Sequence, residues 1–224
     1  MSAFNNIWKN DKGFLWMLFI SIIILASTQI TNSILWEGKF IVRVGFFLFT
    51  LVAVKSSSLS VTGKSIGYII AAAILLLAIV MIRTETQELN LLYSILVTGY
   101  MIYIIALVIS QIFADGIITT YKIAGGVAAY ILIGHIWATI YLVIYIIEPD
   151  SFQYGSEQIQ NNEALKQLSY FSFVTLTTIG YGDITAISPV ARVFIMLEGL
   201  LGQLFPTIFI AKLVSQQIEH SRKN

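Results

Sequence analysis

The chain has 224 residues, of which 57% are apolar and only 11% are charged, and its mean hydropathy is +0.83. These values are typical of an integral membrane protein and argue against a soluble domain. The sequence has no cysteine, which excludes disulfides and thiolate metal sites, and its formal net charge of +1 gives no indication of nucleic-acid binding. At about 20 residues per membrane helix, the length suffices for about six spans with their loops.

Six apolar runs predict six membrane helices. They cover residues 14–35, 40–54, 66–82, 89–112, 123–147 and 193–215. The second run, of 15 residues, and the third, of 17, are short for a helix perpendicular to the bilayer. We expect each to recruit flanking residues such as Lys39, Lys55 and Ser65, because polar side chains near a helix end can reach the membrane surface.

The first four runs contain almost no charge that a membrane potential could move. The fourth run has no Arg or Lys, and Arg43 is the only basic residue inside any of the first four. Even four copies of Arg43, moved fully across the membrane, would give about 9 kcal/mol per 100 mV, below the tens of kcal/mol that steep voltage gating requires. The sequence therefore predicts weak or absent voltage sensing.

The connection between the fifth and sixth runs contains a predicted short re-entrant helix over residues 163–177. Asn161 and Asn162 are candidate N-caps, and Glu163 is favoured in the first turn. Residues 177–183 follow with the sequence Thr-Thr-Ile-Gly-Tyr-Gly-Asp. Gly180 and Gly182 lack side chains and can adopt backbone conformations closed to other residues, as is needed to aim successive carbonyls at one axis.

This heptad, which we call the filter segment, resembles the selectivity filter of tetrameric potassium channels. The resemblance extends from about residue 123 to residue 215, whereas the first four runs match the six-helix plan of that family only in number. It implies an all-α membrane protein with six transmembrane helices, in which a re-entrant pore helix and the filter lie between helices five and six. Residues 1–119 would form a four-helix sensor-like domain without gating arginines, and residues 120–224 the pore domain.

The same resemblance implies K⁺ sites along the filter segment. Carbonyls of residues 178–181, with the Thr178 hydroxyl, would replace the hydration shell of K⁺. The full set of candidate ion-binding residues is Thr178, Ile179, Gly180, Tyr181 and Gly182. Ile179 stands where the family has Val and remains β-branched, and Asp183 matches the acidic residue after the last glycine. One chain supplies one such segment, so a homotetramer is implied.

Four residues are candidates for supporting the filter: Thr177, Val174, Asp183 and Glu198. Val174 replaces a glutamate that some two-helix relatives place behind the filter, so a filter collapse driven by that carboxylate is not expected. Glu198 lies inside the sixth run, where a carboxylate is costly and therefore a functional candidate. We expect it behind the filter, bonded to pore-helix hydroxyls or buried water, where it could be protonated. A direct pair with His135 is doubtful because the two residues lie at different depths.

The sixth run contains candidates for a gate and for the lining of a cavity. Gly202 lies where the family's hinge glycine sits, although close helix packing is an equal alternative. Pro206 should kink or loosen the helix because it has no amide proton. Gln203, Thr207 and Ile210 follow at helical spacing and are cavity-lining candidates, with a lipid-facing position as the alternative.

The loop charges predict a multi-pass protein of the cell membrane with both termini cytoplasmic. With that orientation eight of the 13 basic residues lie inside, while the acidic loop residues lie mostly outside. A cleaved signal peptide over the first run is a weaker interpretation, because 22 residues exceed a typical signal core.

The leading functional hypothesis is passive conduction of K⁺, with K⁺ as the permeant ion, no other cofactor and no covalent chemistry. The alternatives are a less selective cation channel, a potassium-uptake transporter and a non-conducting sensor or assembly subunit. Uptake transporters carry four degenerate filter repeats in one chain, and the single complete segment argues against them. A separate regulatory subunit is left open.

Overall fold

A computed structural model of the protein describes residues 13–30, 36–57, 60–81, 83–84, 86–114, 119–160 and 163–223. Seven α-helices lie in these ranges. They are α1 (Gly13–Ile30), α2 (Trp36–Ser56), α3 (Val61–Val80), α4 (Gln87–Ile112), α5 (Thr120–Ile147), α6 (Ala164–Leu176) and α7 (Pro189–Lys223).

Five of these helices are long and apolar enough to cross a membrane: α1, α3, α4, α5 and the segment Pro189–Ile218 of α7. Helix α2 has 21 residues, but it contains Glu37, Lys39, Arg43 and Lys55 and does not reach the same apolarity. The chain is therefore a multi-pass membrane protein, and the sixth span remains a prediction. Both short runs lie in helices of at least 20 residues that include the flanking Lys39, Lys55 and Ser65.

The protein is mainly helical, as predicted, but a small antiparallel sheet that the sequence did not predict accompanies the helices. A 3-10 turn, Pro149–Ser151, leads into β1 (Phe152–Tyr154), which pairs with β2 (Glu157–Gln158) and with β3 (Ile184–Ala186) in the order β2-β1-β3. Strands of two or three residues are too short to show an alternation of apolar and polar residues in the sequence. The pairing of β1 with β3 also joins segments about 30 positions apart, which a local pattern does not reveal. The sheet joins the end of α5 to the chain directly after the filter segment.

Helix α5 is the centre of the packing. It contacts α1, α4, α6 and α7, and more of it is buried than of any other candidate span in the described ranges. Aromatic rings from three helices pack against three of its glycines: Phe14 of α1 against Gly125, Phe209 of α7 against Gly126 and Phe173 of α6 against Gly134. An added Cβ would approach these rings to 2.8, 2.2 and 2.7 Å respectively, so small residues are required for this packing.

An aromatic cluster fixes α6 against α5 and the sheet. The rings of Tyr141, Phe152 and Phe171 lie with centroids 5.4 to 5.7 Å apart, and Tyr141 and Phe152 are fully buried. Ring pairs at this spacing add to the stabilisation from buried area. The helix that precedes the filter segment is thus held by side chains from α5 and β1.

Candidate functional site

The filter segment has an alternating backbone conformation. Thr178, Gly180 and Gly182 have φ values of 62°, 59° and 76°, while Ile179 and Tyr181 between them have negative φ. Positive φ at a β-branched residue such as Thr178 is a steric outlier that costs of order 1–3 kcal/mol. Sequence reasoning expected unusual backbone only at the two glycines, so the strain at Thr178 is a new sign of function.

The amides of the filter segment are turned towards the end of α6. The Val174 carbonyl accepts from the amides of Ile179 at 3.0 Å and Gly180 at 3.2 Å, and the Thr178 amide donates to Thr175 O at 2.9 Å. Within the described chain, no hydrogen bond to the carbonyls of residues 178–182 is found. Val174 therefore supports the segment through its main chain, and the carbonyls stay available to a ligand.

The filter segment is not enclosed by its own chain. The side chains of residues 177–182 are exposed, with Ile179 at 55% and Tyr181 at 69% of their full accessible surface. Much of the apolar surface of α7, which follows it, is exposed as well, for example at Leu200 and Leu204. A ring of carbonyls around one axis accordingly requires further copies of the segment.

Asp183 fastens the outer end of the filter segment. Its Oδ2 accepts from the Tyr170 hydroxyl at 2.8 Å, its Oδ1 accepts from the Ile184 amide at 3.0 Å, and its carbonyl accepts from the Gly155 amide at 2.8 Å. The hydrogen bond to Asp183, together with partial burial, raises the pKa of Tyr170 to about 12. The phenol therefore remains a proton donor at any physiological pH.

Thr177 continues the hydrogen bonding of α6 rather than facing the site. Its hydroxyl donates to Phe173 O at 2.6 Å, and its amide donates to the same carbonyl at 3.1 Å. Helix α6 begins at Ala164, with Glu163 directly before it and no side-chain cap from Glu163. The expected position of Glu163 in the first turn is thus off by one residue, and Asn161 and Asn162 lie outside the described residues.

Glu198 is fully buried between three helices. Its Oε1 lies 2.5 Å from the Ser172 hydroxyl of α6, and its Oε2 accepts from the Tyr141 hydroxyl of α5. The sequence expected a pore-helix hydroxyl as partner and missed Tyr141. His135 lies elsewhere, with its ring between those of Phe46 and Phe173 at centroid distances of 5.1 and 5.2 Å.

Gly202 lies at the closest approach of α7 to α6. An added Cβ would stand 2.1 Å from the Leu176 carbonyl oxygen, which favours the packing alternative for this glycine. Helix α7 continues through Pro206, whose missing amide leaves the Gly202 carbonyl without its intrahelical donor. The Tyr130 hydroxyl lies 3.4 Å from this carbonyl and 2.9 Å from Leu176 O, so α5 bridges both sites.

The cavity-lining candidates share one exposed face of α7. Gln203, Thr207 and Ile210 are all exposed in the single chain, and the Thr207 hydroxyl donates to Gln203 O at 2.7 Å. Nearer the carboxyl end of α7, the Gln216 amide nitrogen lies 3.3 Å from Ala114 O, to which the Lys122 ammonium also donates at 2.9 Å. The Ala114 carbonyl at the end of α4 thus accepts hydrogen bonds from both α5 and the carboxyl end of α7.

Three tyrosines and one serine with direct roles in this arrangement were missed: Tyr130, Tyr141, Tyr170 and Ser172. The available signal was a polar residue inside an apolar segment, since a buried Tyr or Ser hydroxyl needs a partner. Tyr170 and Ser172 stand in the segment before the filter, where that signal could have paired them with Asp183 and Glu198.

Comparison with known proteins agrees with this geometry. Residues 125–218 match the family model described as "Ion channel". The matched part runs from α5 through the filter segment into α7 and includes the filter segment, its supporting residues and the gate and cavity candidates. No significant match was found among curated proteins or among solved structures. The second half of the chain is therefore similar to an ion-channel domain, and the family model does not cover the four helices α1 to α4 described before it.

Proposed function

We propose that this protein is the pore-forming subunit of a homotetrameric, potassium-selective channel with weak or no intrinsic voltage dependence. The observation that carries the proposal is the backbone of the filter segment. Alternating φ signs at residues 178–182 prevent the carbonyls from alternating as in a strand, and no hydrogen bond to them is found within the described chain. Oxygens of this kind are the ligands that K⁺ filters use.

The end of α6 supports cation binding. Helix α6 ends at Leu176, directly before the filter segment, and a helix carboxyl end carries a partial negative charge. Asp183 places a carboxylate at the other end of the segment. Both ends therefore favour a cation over an anion.

The need for four chains follows from exposure and from stoichiometry. One chain supplies one filter segment, and both this segment and many apolar side chains of α7 are exposed in the single chain. Burying Leu200, Leu204 and their exposed neighbours against other copies would enclose the carbonyls of the filter segment. Gln203 and Thr207 would then line the cavity next to these carbonyls.

Weak voltage dependence is proposed from α4 and Arg43. Helix α4 contains no Arg or Lys. The Arg43 guanidinium donates to Ala78 O at 3.1 Å and lies over the Tyr93 ring at 5.1 Å, which fixes it between α2, α3 and α4. One fixed cation within the four apolar runs of the amino-terminal half gives little gating charge.

The test compares K⁺ and Na⁺ flux into proteoliposomes for the intact protein, Gly180→Ala and Gly155→Ala. Both glycines have positive φ and open space around an added Cβ, so the two substitutions impose similar backbone strain, but Gly155 lies in the β1–β2 turn. We expect K⁺-selective flux that Gly180→Ala abolishes and Gly155→Ala retains. Equal Na⁺ and K⁺ flux would instead establish a less selective cation pore, and an intact tetramer without flux across voltages would favour the non-conducting alternative.

A further inference from the structure

Three oxygen–oxygen contacts join α5, α6 and α7 behind the filter segment. The Tyr141 hydroxyl contacts Glu198 Oε2, the Ser172 hydroxyl lies 2.5 Å from Glu198 Oε1, and the same Ser172 hydroxyl lies 2.8 Å from Gly134 O. Tyr141, Ser172 and Glu198 are all fully buried. We call these three side chains the Glu198 cluster.

The Glu198 cluster needs one more proton than its hydroxyls supply. Each of the three contacts is short enough to need a proton between its two oxygens. A Tyr and a Ser hydroxyl donate one proton each, and a main-chain carbonyl donates none. If Glu198 were ionised, the single Ser172 proton could lie in only one of the two Ser172 contacts. In the other contact, with either Oε1 or Gly134 O, two oxygens would meet with no proton between them.

We infer that Glu198 is a neutral carboxylic acid that positions the pore helix. Its Oε1–H donates to Ser172, the Ser172 hydroxyl donates to Gly134 O, and the Tyr141 hydroxyl donates to Oε2. In this arrangement every contact in the cluster holds one proton. Glu198 is a positioning residue, because it is fully buried and acts on the filter segment through α6.

The surroundings of Glu198 supply an independent reason for neutrality. Among the described residues, the titratable side chains that interact with Glu198 are Tyr141, by a hydrogen bond, and Tyr130, electrostatically; both belong to α5, and α6 presents the Ser172 hydroxyl. Within the described part of the chain, Glu198 has no Lys, Arg or His partner. A buried carboxylate without a cation is costly in a membrane span, whereas a neutral acid with both oxygens bonded is tolerated.

The position of Ser172 connects the cluster to conduction, and this step rests on the proposed function. Ser172 precedes Val174 by two residues on α6, and the Val174 carbonyl holds the amides of Ile179 and Gly180. Glu198 therefore fixes the helical turn on which the filter segment is fastened. Losing this bond would free α6 to move relative to α7.

Infrared difference spectroscopy tests the protonation state without relying on ion flux. Spectra of the intact protein in lipid at neutral pH are compared with those of Glu198→Gln, and Glu157→Gln serves as the control for an exposed carboxylate. We expect a protonated-carboxyl C=O band that only Glu198→Gln removes, and that Tyr141→Phe shifts to higher frequency because Oε2 loses its donor. Loss of ionised-carboxylate bands in Glu198→Gln, with no protonated band in the intact protein, would overturn the inference even if the channel conducts K⁺.

Flux measurements test the positioning role. A Gln amide can donate to Ser172 and accept from Tyr141, so Glu198→Gln should retain most of the flux that Glu198→Ala loses. Because Glu198→Ala leaves the buried Tyr141 and Ser172 hydroxyls without this partner, it should lower selective K⁺ flux by about tenfold or more. Equal losses in the two variants, with tetramers intact in both, would contradict a neutral positioning acid.

Discussion

Replacing Gly202 by alanine distinguishes a packing role from a hinge role at this position. The added Cβ would stand 2.1 Å from the Leu176 carbonyl oxygen, and contacts below 3.0 Å essentially never occur, so α7 must retreat from α6 by about 1 Å. The obstacle is main chain, which cannot turn away as a side chain can. We therefore expect the substitution to disturb the end of α6 directly before the filter segment.

The magnitude follows from two opposing terms. Overpacking a tight contact costs about 1–3 kcal/mol, and the rigid carbonyl places this case at the upper end. Alanine in a helix interior recovers about 1 kcal/mol relative to glycine. The net loss in the free energy of unfolding should be about 2 kcal/mol.

Gly199→Ala is the matched control, because an added Cβ at Gly199 of the same helix has nothing within 4 Å in the described chain. Thermal unfolding of the protein in lipid or detergent should show a lower melting temperature for Gly202→Ala and an equal or higher one for Gly199→Ala. K⁺/Na⁺ selectivity should fall in the first variant only. Unchanged stability and selectivity in Gly202→Ala, with altered open probability alone, would refute the packing argument in favour of a hinge.

Three further predictions concern side chains around the filter and in the amino-terminal helices. Because the pKa of Tyr170 is raised to about 12 from 10.0, its bond to Asp183 contributes fully below pH 10 and is lost as the pH rises towards 12. Melting temperatures of the intact protein should therefore fall across that window relative to Tyr170→Phe, and parallel curves would contradict the bond. Tyr130→Phe removes the donor to Leu176 O and should lower the free energy of unfolding by about 1 kcal/mol. Thermal melting checks this, with Tyr103→Phe as the control because Tyr103 is exposed. Equal melting temperatures in the two variants would contradict a stabilising Tyr130 bond. Arg43→Gln should leave the voltage dependence of K⁺ current unchanged, and a steep dependence lost in that variant would show that Arg43 carries gating charge.

The sequence predicted most of what depends on local pattern. Apolar runs located the helices, because a membrane span must satisfy its main chain within one helix and must be apolar over about 20 residues. Glu198 could be singled out because a carboxylate inside such a run is rare. The two filter glycines were recognisable because few residues allow positive φ.

The remaining features depend on contacts between distant parts of the chain. Tyr141 meets Glu198 across 57 positions, and the Tyr130 hydroxyl reaches Leu176 O across 46. A buried tyrosine needs a hydrogen-bond partner, but nothing in the local sequence of either α5 tyrosine identifies that partner. The strain at Thr178 was also invisible, because it is imposed by the fastening of the next two amides to Val174 and not by the residue itself.

The packing also gives the amino-terminal helices a physical connection to the filter. The His135 ring on α5 stands between Phe46 of α2 and Phe173 of α6, and Phe173 fills the space above Gly134. The Phe173 carbonyl in turn accepts both the amide and the hydroxyl of Thr177 at the start of the filter segment. A displacement of α2 would press on the pore helix through two rings, and closely packed interiors transmit such strain. The amino-terminal helices can thus brace the proposed filter, and substitutions at Phe46 should change the selectivity of the filter although Phe46 does not contact it.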